Sequence, residues 1–150
     1  MSATIDQLSL NITEEFHVRA SLEETFDALL QQMGPGNENA DRAPMPMVFE
    51  ARPGGRWFRD LGDDNGHFWG HVQAIKRPVL LEITGPLFMS HPVVSNVQYR
   101  LTSVEGGTLI AFRHAALGFV PDDVRVGMSR GWKALFERMR QQAEHTQIRH

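Results

Sequence analysis

Residues 65–78 read NGHFWGHVQAIKRP, and the secondary structure that carries them decides the fold. His67 and His71 stand four apart. On a helix that spacing puts two side chains on one face, about 6 Å from each other, where they would suit zinc. On a strand the same pair is roughly 13 Å apart at about 3.3 Å per residue, too far to share an ion whose bonds are about 2 Å long. Phe68, Trp69, Val72 and Ile75 favour a strand, while Gly66 and Gly70 disfavour a helix. No Glu follows His67, so the H-E-x-x-H pattern is not met either. The stretch therefore predicts a strand and no shared metal.

Outward from this strand the chain is cut into similar pieces. Candidate strands at 8–18, 47–52, 56–61, 79–84, 93–103 and 108–115 are separated by PGG at 53–55, DDNG at 63–66, RP at 77–78 and EGG at 105–107. Such tight connections favour an antiparallel sheet and leave no room for parallel crossovers. Two helices frame the strands. Ser21-Leu22-Glu23-Glu24 has the form of a capping box, followed by Leu22, Phe26, Leu29, Leu30 and Met33 at helical spacing and stopped by Gly34-Pro35. From Pro121 to about Gln147, Val124, Met128, Trp132, Leu135 and Met139 mark one face, with Arg125, Lys133, Arg138 and Arg140 mostly elsewhere. Asp122 and Asp123 complement the dipole of its first turn. Residues 37–46 are polar and broken by proline, a loop with room for one helical turn. The last helix alone is long enough to cover the sheet, and the whole predicts an α+β domain.

Length and composition exclude several classes of function. One hundred and fifty residues suit a single domain over 1–150, burying about 68–70% of the unfolded chain's surface. A net charge of −3 with scattered basic residues gives no footprint for nucleic acid. With no cysteine there are no disulfides, thiolate metal sites or cysteine nucleophiles. MSATIDQLSLNITEEF lacks a signal peptide's basic start and apolar run, and no eighteen apolar residues follow one another, so a cytoplasmic chain without membrane insertion is expected. No motif implies a cofactor.

No nucleophile stands out: Ser90 is not in a G-x-S-x-G elbow, and RPGGR lacks the lysine and serine of a phosphate loop. What remains is an apolar interior with polar tips. Alternation places Thr108, Ile110, Phe112 and His114 on one face, inward because the other carries Arg113, and Val97, Tyr99 and Leu101 likewise. Trp69 and His71 share a face, but Phe68, Gly70, Val72 and Ala74 compete for the inside, and parity does not choose. Gly127 and Gly131 on the last helix cost up to about 1 kcal/mol each against alanine. At Gly131 the missing side chain either admits a close-packed strand or leaves space for a ligand. Met128 and Trp132 are core residues or pocket walls on the same reasoning.

The order FHVRASLEETFDAL at 16–29, RPGGRW, GHVQAIKRPVLLEIT, GGTLIAFRH and GWKALFERM resembles the START-like SRPBCC superfamily over about residues 12–143, and within it the branch named for the activator of heat-shock protein 90 ATPase. The resemblance implies a helix-grip fold, a curved antiparallel sheet around a long C-terminal helix with a cavity between them. By position it implies that His71, Tyr99, His114, Gly131 and Trp132 fall in regions that line the pocket in similar proteins, with no fixed catalytic set. The first expectation is therefore a binding module for a small apolar or aromatic ligand, with Trp69, Tyr99, Phe112, Met128 and Trp132 as walls and His71 and His114 as polar anchors. Between Leu30 and Met47 this chain has GPGNENADRAPMP where many relatives carry a tryptophan-containing segment. Cyclase or aromatase enzymes among the relatives imply a second expectation, with His71 or His114 exchanging protons. An interaction protein acting on a chaperone or other partner through its surface is the third; the branch's own chaperone activity is not carried over, since a lone domain of this kind lacks the additional N-terminal domain of the eukaryotic activators, and a homodimer is a further expectation.

Overall fold

The first helix begins where its cap demands. The Ser21 hydroxyl accepts a hydrogen bond from Glu24 N at 3.1 Å, and α1 (Leu22–Met33) runs to Gly34, whose N–H turns back to the Leu30 and Gln31 carbonyls. Only this arm of the capping box forms; the Glu24 Oε2 atom is buried without a hydrogen-bond partner. The computed structural model describes residues 4–39, 41–87 and 90–149, with side chains as far as His145. The strands are β1 (Ser9–Val18), β2 (Val48–Phe49), β3 (Arg56–Gly62), β4 (Asn65–Lys76), β5 (Leu80–Gly85), β6 (Val93–Val104) and β7 (Gly107–Gly118), and α2 (Asp122–Arg149) closes the order.

These strands form one antiparallel sheet in the order β1-β7-β6-β5-β4-β3-β2. Each of β3 to β7 pairs with the strand before it, as short turns require, and β7 also closes against β1. Both helices cover the same face, α2 packing on α1 and reaching β1. This is the helix-grip arrangement, and the histidine stretch lies on β4 as a strand. Among its described residues, the loop at 37–46 makes no helical turn. It closes instead on a bridge between Glu38 and Pro44, with the Asn39 side chain accepting from Asp41 N and Ala43 N.

Inward-facing residues of β6 and β7 meet the apolar stripe of α2. Val97, Tyr99, Leu101, Ile110, Phe112 and His114 are buried, in the alternation expected from the sequence. Phe136 stacks on Phe16 at 4.6 Å and meets Phe112 at 4.8 Å; Phe112 also touches Tyr99 and Trp132, each at 5.0 Å. The middle of the grip is thus filled by aromatic rings. Arg125, off the apolar stripe, donates to the Ser9, Gln7 and Val120 carbonyls and ties the start of β1 to that of α2.

Candidate functional site

Beyond the packed rings, toward β3 and β4, the sheet and α2 part to leave a cleft of about 340 Å³. Trp57, Trp69 and Trp132 wall it, Gly127 and Gly131 open it from the helix side, and the loop after α1 closes one end through Asn37, Glu38, Asn39 and Met45. The volume lies at the small end of the roughly 300–1,000 Å³ usual for ligand pockets, which sets a limit of one or two rings on an occupant.

Trp69 faces this cleft because β4 does not alternate. Trp57 pairs with Gly70 and Phe58 with Phe68, so Trp69 has no partner on β3 and forms a bulge. An extra residue shifts the parity of the strand beyond it. Trp69, Gly70 and Val72 are therefore all buried, while Phe68 and His71 are exposed. The two registers open in the sequence are both used, one on each side of the bulge. Gly70 permits it: a Cβ there would stand 2.6 Å from the Thr84 carbonyl oxygen.

All three indole N–H groups are engaged within the protein. Trp57 Nε1 donates to the Met33 carbonyl at 2.7 Å, Trp69 Nε1 to His67 Nδ1 at 2.9 Å, and Trp132 Nε1 to His114 Nδ1 at 3.0 Å. Trp57 and Trp69 meet edge to face at 4.9 Å. With their donors occupied and their rings braced, the tryptophans present apolar surface to the cleft.

His114 is set by the same contacts. Its Nδ1 accepts from Trp132, so in the neutral ring Nε2 carries the proton and donates to Ser95 Oγ at 2.9 Å. Burial lowers its pKa from 6.5 to about 4, keeping the ring neutral near pH 7. Both nitrogens are committed, and the imidazole orients Trp132. Tyr99 is fully buried, its hydroxyl directed at Met33 Sδ at 3.8 Å, and burial raises its pKa.

Of the residues singled out in the sequence, the structure brings Trp69, Gly131 and Trp132 together at the cleft. Tyr99, Phe112, His114 and Met128 lie in the packed core. His71 does neither, because the bulge turns it to the outer face, where Nδ1 approaches the Gly54 carbonyl at 3.1 Å. At Gly127 and Gly131 an added Cβ would find nothing within 4 Å, so open space and not a close-packed strand accompanies the missing side chains. Sequence reasoning missed Trp57, the 37–45 loop and Arg138. Arg138 is seven residues after Gly131 and three after Leu135, helical intervals that put it on the cleft side rather than among the outward cations. Its side chain is only 10% exposed.

An antiparallel sheet gripping a terminal helix, with a tryptophan-walled cleft between them, defines a START-like helix-grip protein. More narrowly, the chain belongs to the family described as Activator of Hsp90 ATPase homolog 1-like protein, whose model matches residues 37–144. No curated protein matches it. Among solved structures it is similar to protein MLL2253 from Mesorhizobium loti, at 25% identity and a TM-score of 0.68 over 91% of this chain and 98% of that one. It also resembles a protein of unknown function, SA2116, from Staphylococcus aureus, at 13% identity and a TM-score of 0.70 over 97% and 99%. The di-domain ARO/CYC StfQ of the steffimycin biosynthetic pathway matches at 13% identity and a TM-score of 0.63, over 93% of this chain and 51% of that one. No described helix is long and apolar enough to cross a membrane.

Proposed function

We propose that this protein binds a small apolar or aromatic molecule in the cleft between Trp57, Trp69 and Trp132. The observation that carries the reading is the pair Gly127 and Gly131. Each weakens α2, neither is required by a packed neighbour, and both are exposed at the open side of the cleft that they line. Apolar contact at about 25 cal/mol per Å² supplies the attraction, less the costs of association. Trp69, Gly131 and Trp132 contact the ligand in this reading, and Tyr99, Phe112, His114 and Met128 support the wall from behind.

The test is calorimetric titration with benzene- and naphthalene-sized probes against the wild type and Gly131→Leu. Binding by the wild type and its loss in a folded Gly131→Leu variant are expected. A wild type that takes none of the probes and retains no molecule in native mass spectrometry would sink the reading. A cyclase or aromatase acting through His71 or His114 has less behind it, despite the likeness to StfQ. His71 is on the outer face and His114 has no nitrogen to spare.

One observation favours a second reading, an interaction module. Val94 and Leu117 are cross-strand partners on the sheet's outer face, 66% and 65% exposed, and Phe119 nearby is 56% exposed. Apolar side chains so grouped often mark a contact surface. Sedimentation of the wild type against Leu117→Lys tests whether it joins two copies; identical monomeric profiles would remove that form of the idea.

A further inference from the structure

Among the described residues that line the cleft, one is cationic; it stands with Asn37, Glu38 and Asn39 at the polar end of a largely apolar wall. This is Arg138, which lines the cleft from α2, directly beyond Ala134 and Leu135. Its Nε donates to Gln32 Oε1 at 3.1 Å, and Gln32 is in turn held through its Nε2 by Gln142 Oε1 at 2.8 Å. This fixes one edge of the guanidinium and leaves the end formed by Nη1 and Nη2 free. Among the described residues nothing accepts a hydrogen bond from either atom. The nearest carboxylate, Glu38, stands 4.0 Å from Nε, beyond hydrogen-bonding reach, and lies closer to Arg42 Nε at 3.3 Å. Glu38 is thus shared between Arg138, which lines the cleft, and the exposed Arg42, which does not.

The Arg138 side chain is 10% exposed, and with no protein acceptor among the described residues its two Nη groups are met by solvent alone, which a ligand's oxygens could replace. Burial accordingly lowers the Arg138 pKa, which the Glu38 carboxylate partly opposes. The parallel N–H pair of a guanidinium end matches the two oxygens of a carboxylate. The indole donors are occupied, so no other cationic or indole group at this cleft competes for that role.

Resting on the ligand-binding reading, we infer that the cleft selects small aromatic carboxylic acids, the ring lying among Trp57, Trp69 and Trp132 and the carboxylate received by the free end of Arg138. The apolar walls then set size and the arginine sets charge. Gln32 acts as a positioning residue, holding the guanidinium edge-on so that its fork faces the ligand.

The experiment compares matched acids and primary amides, phenylacetate with phenylacetamide and naphthaleneacetate with naphthaleneacetamide, by calorimetry on the full chain. The wild type is expected to prefer the acids by about ten-fold or more, the scale of a charge-assisted pair. Arg138→Met is expected to lose that preference while still binding the amides, which also shows that the variant is folded. Arg138→Lys should recover part of it. Equal affinity for acid and amide in the wild type, or a preference that survives Arg138→Met, overturns the inference and leaves the apolar cleft standing. No binding of any acid or amide overturns both.

Discussion

His114 shows how a residue that looks catalytic can serve packing. Parity along β7 already points it inward, beside Phe112 and Ile110, so its burial is legible in the sequence. Its partners are not, because Ser95 and Trp132 come from a strand and a helix whose register only the fold supplies. Its titration has a measurable consequence. The ring takes a proton near pH 6.5 in the unfolded chain and near 4 in the folded one. Between those values the unfolded chain holds a proton that the native state lacks, so stability rises with pH across the window and falls on acidification. At about 1.4 kcal/mol per pH unit the loss is roughly 3 kcal/mol in all, about half of it between pH 6.5 and 5. Urea denaturation at those two pH values should show this drop in the wild type and a flatter response in His114→Gln; parallel responses would refute the assignment.

Among elements, β4 and α2 each carry a local cost that shapes the cleft. The bulge at Trp69 breaks the period-two pattern, and a sequence gives little warning of it beyond the glycine at position 70. That is why alternation leaves two registers open when the strand uses both. Gly70→Ala should destabilise the fold by about 1–3 kcal/mol, the usual penalty for forcing atoms into a packed site, read as a lowered urea midpoint. In α2 the sign reverses. Gly131→Ala meets open space, so it should raise stability by up to about 1 kcal/mol, or about 2–4 °C in Tm for a chain of this size. A fall in Tm would mean that the helix needs glycine there for packing after all.

The whole molecule is set by the order of its turns more than by any single motif. From β3 onward, short connections make each strand the neighbour of the one before it, and the long last helix has only one bare sheet face to cover. That much is readable from Gly, Pro and Asp spacing. The cleft is less so, because it depends on where the 37–46 loop comes to rest and on Arg138 turning inward, and neither can be read from local pattern. The grip itself is indispensable. Met128, Trp132, Leu135, Phe136, Met139 and Ala143 of α2 are all buried, and at about 1.5–3 kcal/mol for each large side chain their loss is on the order of 10 kcal/mol. Domains of this kind hold only about 5–15 kcal/mol in total. A chain ending at Phe119 should therefore lose its cooperative urea transition and its near-ultraviolet circular dichroism; a sharp transition in that fragment would show that the sheet stands alone.

The chain has three tryptophans, and all three stand at the cleft. Its ultraviolet emission therefore has a single address, with no remote indole to dilute it. An occupant set against those rings should shift or quench the protein's entire intrinsic glow, so the receptor carries its own label.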